Sequence, residues 1–170
     1  DDGLYEAGIA GVAFLEGYRT FGQERFLLAS ARAADWALEC PTSWNYNYNM
    51  FSVWHLSRHY SVTGDKRYFD GAVEKVLTTL AEQKPNGRWE GHNSWIWYHG
   101  IILRGLAELY SGLPESHELK ERVRECIIRA VNRLIIDEKE DGSVPPNPDE
   151  SEARFKDPNR NIHQIGRAHV

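Results

Sequence analysis

Apolar and polar positions fall into six stretches along this chain, and two kinds of stretch take turns. The first, roughly Leu4 to Thr20, crowds Gly8, Ala10, Gly11, Ala13 and Gly17 among apolar residues, which predicts a helix buried on all sides. The second, about Glu24 to Leu38, sets Phe26, Ala29, Ala33, Trp36 and Ala37 against Arg32 and Asp35, the pattern of an amphipathic helix. A third helix over about Asn47 to Val62 and a fifth over Ser94 to Tyr110 are again apolar or aromatic for most of their length. A fourth over Lys66 to Gln83 and a sixth over Ser116 to Ile135 again carry a charged face. In the sixth, Leu119, Val123, Ile127, Ala130, Val131 and Leu134 form the apolar stripe. Asp65 is placed as the N-cap of the fourth helix, where its carboxylate can accept from free backbone N–H groups.

The punctuation repeats as well. Tyr18-Arg-Thr-Phe-Gly22-Gln-Glu-Arg25-Phe26 returns as Tyr60-Ser-Val-Thr-Gly64-Asp-Lys-Arg67-Tyr68, 42 residues later, and a looser copy begins at Tyr110. A repeat of that length is one helix pair, and repeated pairs stack into a solenoid or a ring. The odd helices then form an inner layer and the even ones a solvent-facing outer layer. Links within a pair are short. Links from an outer helix to the next inner one are long and gather at one end: Cys40 to Asn49, Lys84 to Trp95, and Asp137 to Pro148. Asp141-Gly142-Ser143-Val144 echoes Asn86-Gly87-Arg88-Trp89 at the matching place in the repeat.

Composition narrows the partners. With 170 residues, 41% hydrophobic and 26% charged, the chain has enough apolar material for a real core. A net charge of −5, with basic residues scattered among acids, argues against nucleic acid, which demands clustered Lys and Arg. No run approaches a membrane span, so no membrane partner is expected. Cys40 and Cys126 form neither a metal spacing nor a disulfide framework. His55 and His59 have metal-like spacing without a third ligand nearby, so neither a metal nor a cofactor is expected. Compartment and oligomeric state stay open. The last six residues, Ile165 to Val170, match the translation ATC-GGA-AGA-GCA-CAC-GTC of a string resembling a common sequencing adapter. The expected division is thus a helical domain over 1–148, an irregular connector over 149–163 and an adapter-derived tail over 164–170, the native part of an environmental fragment ending near His163.

The first two long links are dense in Trp, Tyr, Asn and His, and the Asn45-Tyr-Asn-Tyr-Asn49 alternation reads as an extended rim loop. Aromatic faces stack on the C–H faces of sugars, while amides and imidazoles hydrogen-bond to hydroxyls; clustered together they make a binding-site hypothesis. Trp44, Asn45, Tyr46, Asn47, Arg88, Trp89, Asn93 and Trp95 are the candidate substrate contacts. Trp54 reads as core.

The alternating helices, the phrase Thr63-Gly-Asp65-Lys-Arg67-Tyr68 and the link Asn86-Gly87-Arg88-Trp89 resemble the six-hairpin glycosidase-like α/α toroids, over about residues 3 to 148. That group includes unsaturated glucuronyl hydrolases, sugar epimerases and polysaccharide lyases. The resemblance implies an all-α toroid of which three of six hairpins are present, and a carbohydrate-active enzyme cleaving glycosidic bonds. The run Gly91-His-Asn-Ser-Trp-Ile-Trp-Tyr98-His99 is also similar to the Tyr-His segment of heparinase-type lyases, although the Asp-Gly lead-in of that family is Asn86-Gly87 here.

Hydrolysis calls for two carboxyl groups, one held protonated. Glu90 is the carboxylate in the aromatic links, and desolvation by Trp89 and Trp95 would suit it as general acid. Asp1, Asp2 or Glu6 is the partner to look for among the residues present. Elimination at a uronic acid instead needs a base and a stabiliser of developing charge: Tyr98, His92 and His99 for the first, Asn45, Asn47, Asn93 and Arg88 for the second. His99 in its apolar helix also fits a core histidine. A third reading, a non-catalytic helical-repeat scaffold, would turn the aromatic rim toward a protein partner.

Overall fold

Two glycines explain the repeated phrase. Gly22 and Gly64 take φ values of 65° and 71°, left-handed conformations that cost glycine nothing. Their N–H groups bond back to the carbonyls of Tyr18 and Tyr60 at 2.7 and 2.8 Å. Each phrase therefore ends one helix and, two residues later, starts the next running the other way. The computed structural model describes residues 3–146, and every helix pattern in the sequence is a helix there: α1 Gly3–Phe21, α2 Glu24–Glu39, α3 Tyr46–Thr63, α4 Lys66–Ala81, α5 Ile96–Gly112 and α6 Lys120–Asp137. No strand occurs among the described residues. No helix among them is long and apolar enough to cross a membrane.

The fold is three antiparallel hairpins side by side. α3 packs against α1 on one flank and α5 on the other, giving an inner row; α2, α4 and α6 back onto it as an outer row. Small residues bring the inner helices close. A Cβ on Gly8 would sit 2.8 Å from the Phe51 carbonyl carbon, and one on Gly105 would sit 2.7 Å from the Met50 oxygen. Leu4, Met50, Val53, Leu56, Ile102, Leu106 and Leu109 meet Ala34, Ala37, Ala72, Val76, Val123, Cys126 and Ala130 between the rows.

Several polar groups inside this core find partners, while others, such as His55 Nδ1, Ser57 Oγ and Thr79 Oγ1, accept or donate no hydrogen bond. Ser30 Oγ lies 2.8 Å from His55 Nε2 and 3.0 Å from His59 Nδ1, so the two histidines share a hydroxyl. Burial pushes the His55 imidazole down to about 3, helped by the neighbouring His59, which keeps it neutral. Two buried lysines cap helix ends: Lys75 Nζ donates to Cys40 O at 2.7 Å, and Lys120 Nζ to Tyr110 O and Leu113 O at 3.0 and 2.9 Å. Asp65 caps α4 as expected, its carboxylate accepting from Arg67 N at 3.0 Å.

The structure departs from the sequence reading in four places. α1 is not buried all round, since neighbours cover only the Leu4–Gly8–Gly11–Val12–Leu15 side and Tyr5, Ile9 and Phe14 are exposed. Val131 leaves the core stripe of α6 and Cys126 replaces it, because the helix turns its 119–123–126–130 edge inward. α6 starts at Lys120 rather than Ser116, after turns in which Leu119 N is held by His117 Nδ1 at 3.2 Å. The Asn45–Asn49 run is helical from Tyr46, not extended. The expected connector 149–163, the tail 164–170, and Asp1 and Asp2 lie outside the described residues.

Candidate functional site

The long links are shaped by a turn used twice. In Lys84-Pro-Asn86-Gly87-Arg88, Gly87 N bonds to Lys84 O at 2.9 Å, Lys84 N to Arg88 O at 2.8 Å, and Arg88 N to the Asn86 side chain at 3.1 Å. In Lys139-Glu-Asp141-Gly142-Ser143 the same three bonds are 2.8, 2.9 and 2.9 Å. Both glycines are left-handed, φ 84° and 78°. The Asx-Gly echo in the sequence is therefore a structural repeat, and it steers each link back over the start of an inner helix. The second turn delivers Pro146 O to Ile96 N, at the head of α5, at 2.9 Å.

After the first turn, a single 3-10 turn over Gly91–Ser94 docks on the head of α3. Asn93 Oδ1 accepts from Asn47 N at 3.3 Å and from Asn47 Nδ2 at 2.9 Å, so a neighbouring link caps α3. Asn49 pins the other link, accepting from Ser43 N and donating to Ser43 O, both at 2.8 Å. These partners hold the asparagines in helical geometry, which is why the run is not extended. Asn47 Nδ2 also donates to Asn45 Oδ1 at 2.9 Å and makes a longer, shared contact of 3.3 Å to His92 Nε2. An amide N–H₂ only donates, so that contact requires Nε2 as acceptor and the proton on Nδ1. Burial lowers the His92 basicity in the same direction. The His92 ring then meets Tyr98 edge to face at 5.1 Å.

Tyr98 leads into a cavity of about 630 Å³ between the inner helices. Tyr5, Glu6 and Ile9 of α1, Tyr48, Phe51 and Trp54 of α3, and Trp97, Tyr98 and Ile101 of α5 line it. Each helix contributes residues a turn apart near its start, except Trp54, which lies deeper. Beyond Trp54 the inner face changes character: Arg104 sits over the Trp54 ring at 5.3 Å and pairs with Glu108, which meets Arg58, which meets Glu16. Burial, with a smaller contribution from Tyr5, raises the Tyr98 phenol, favouring its protonated, hydrogen-donating form. The size and aromatic lining are those of a small-molecule site.

No protein-family model, curated protein or solved structure matches the chain.

The expected contacts divide into three groups. Asn45, Asn47, His92, Asn93, Trp95 and Tyr98 come together, Trp95 stacking edge to face on Trp97 at 5.5 Å. Arg88, Trp89 and His99 turn inward instead. Arg88 is ion-paired with Asp137 and donates to Ser94 O at 2.6 Å; Trp89 donates to Thr79 O at 2.8 Å; His99 Nε2 bonds to Ala130 O at 3.1 Å. All three are essentially inaccessible, and His99 is the core histidine, its basicity lowered by burial. Glu90, Trp44 and Tyr46 form the third group, away from the cavity lining: Glu90 and Trp44 are on the outside of the rim and Tyr46 is half-buried against the core. Glu90 is 71% exposed and paired with Lys84 at 2.8 Å, so the desolvation that would suit a general acid is missing. Trp44 is 75% exposed. Tyr46 is raised by burial and by Glu82 and Glu90 beside it, away from the cavity lining.

Of the lining, Trp54 reads in sequence as core and Tyr48 as part of the rim loop, while Tyr5 and Phe51 carry no separate signal. Their helical spacing is the same whether the stripe faces a core or a cavity. Among the described residues, no group of three or more His, Cys, Asp or Glu is placed to hold a metal.

Proposed function

We propose that this chain belongs to a carbohydrate-active enzyme that cleaves glycosidic bonds, its three hairpins forming part of an α/α toroid of the six-hairpin type. The observation that carries the reading is the cavity itself: rings from three successive inner helices around a space sized for sugar units, with one carboxylate, Glu6, among them. Aromatic faces give the stacking that saccharides need, and the His92–Tyr98 pair with its amide cluster gives hydrogen-bonding groups at the edge. In this reading Glu6 replaces Glu90 as the carboxyl group to test first.

Elimination on a uronic-acid polymer is the second reading, favoured by a neutral His92 against a protonated Tyr98, a base beside an acid. Among the described residues it lacks a cation in the lining to meet the uronate, and Arg88 is ion-paired with Asp137. Incubating the full-length protein with a panel of neutral, amino and uronic-acid oligosaccharides separates the outcomes. New reducing ends without ultraviolet absorbance mean hydrolysis; new reducing ends with it mean elimination. Saccharide binding without either leaves a binding module, and no saccharide binding overturns the proposal.

A further inference from the structure

Resting on the carbohydrate reading, we propose that the cavity takes a sugar bearing a free, protonated amine rather than a uronate. Six of its lining residues, Tyr5, Tyr48, Phe51, Trp54, Trp97 and Tyr98, are aromatic, and among the described residues the one formally charged member of the lining is Glu6. The face of an aromatic ring is the negative end of its quadrupole, so a cage of rings attracts an ammonium and offers nothing to a carboxylate. Glu6 adds a full negative charge of the same sense. No Lys or Arg among the described residues lines the space.

A neighbouring cation supports the point. Arg104 already lies over the Trp54 ring, so this ring hosts one positive group, and Glu108 balances that group at 3.3 Å. Three helix N-termini also face this end, and their partial positive charge would favour an anion. Two of them are occupied: Asn93 Oδ1 accepts from Asn47 N, and Pro146 O from Ile96 N. Glu6 itself stands in the first turn of the third, α1. The charge left for a ligand to meet is negative. A deacetylated amino sugar meets it twice over, stacking its C–H face on the rings and placing its ammonium near Glu6. Acetylating that amine removes the charge and keeps the ring.

Titrating the full chain with glucosamine oligomers, their N-acetylated counterparts and glucuronate-containing oligomers, read by tryptophan fluorescence, tests this directly. The expected result is binding of the free-amine oligomer at least about tenfold tighter than the acetylated one. That preference should fall to within about twofold in Glu6→Gln. Equal binding of amine and acetylated oligomers, or tighter binding of the glucuronate series, overturns the charge inference while leaving a carbohydrate cleft. Tetramethylammonium serves as the sugar-free arm: if it quenches the tryptophans and no saccharide does, the cage for cations stands and the carbohydrate reading falls. Silence from all four ligands overturns both.

Discussion

Arg88 and Asp137 show what one buried pair can decide. Arg88 anchors the aromatic link, Asp137 ends α6, and Arg133 meets the second oxygen of Asp137 at 2.8 Å. The two halves of the pair are not equivalent. Asp137→Ala removes the buried carboxylate that Arg88 pairs with and should cost about 3–5 kcal/mol. Arg88→Met leaves Asp137 with Arg133 and should cost less; urea denaturation of both variants gives the order. His55 carries a second expectation at this scale. Its folded value lies below the ordinary histidine range, so the unfolded chain takes up protons that the native one refuses. The stabilisation is complete above about pH 6.5 and is lost as pH falls from there toward about 3. Urea midpoints at several pH values should decline across that window, and His55→Gln should flatten the decline.

At the scale of elements, α5 contains a contrast within one helix. Gly105 meets the Met50 backbone, whereas a Cβ on Gly100 would touch nothing within 4 Å. Gly105→Ala should therefore destabilise by about 1–3 kcal/mol through overpacking. Gly100→Ala should stabilise by about 0.5–1 kcal/mol through the lower entropy of its unfolded state. Thermal unfolding of the two variants should move in opposite directions. The helices were legible because periodicity, left-handed glycines and an Asx cap are local, and local signals are written in consecutive residues. The rim was legible only in part. Asn47, Asn93 and His92 met as a polar cluster, but nothing in Arg88-Trp89-Glu90 discloses that the first two turn inward and the third outward. That choice is made by Asp137 and Thr79, 49 and 10 residues away.

The molecule as a whole is a row of hairpins with α3 in the middle. α3 touches both inner neighbours and two outer helices, while α6 rests chiefly on α5 and, through Gln83 and Arg129, on the end of α4. In a stack of this kind stability is shared between neighbours and is lowest at the ends. Hydrogen exchange read by mass spectrometry should find α3 amides slowest and α6 amides among the first to open. Uniform protection across α1 to α6 would show instead that the three hairpins unfold as one. The cavity spans all three inner helices, so a ligand bound there should slow exchange at the heads of α1, α3 and α5 together.

The capped lysines give this row an internal chemical clock. An amine that holds helix-end carbonyls inside the protein cannot be acylated without letting them go. Brief treatment with an acylating reagent should label Lys66, whose side chain is 74% exposed, at once. Lys75 and Lys120 should be labelled only as fast as their hairpins come apart. Because one amine reports the junction of α2 with α4 and the other that of α5 with α6, peptide mapping of the acyl mark would time the opening of each end of the molecule separately.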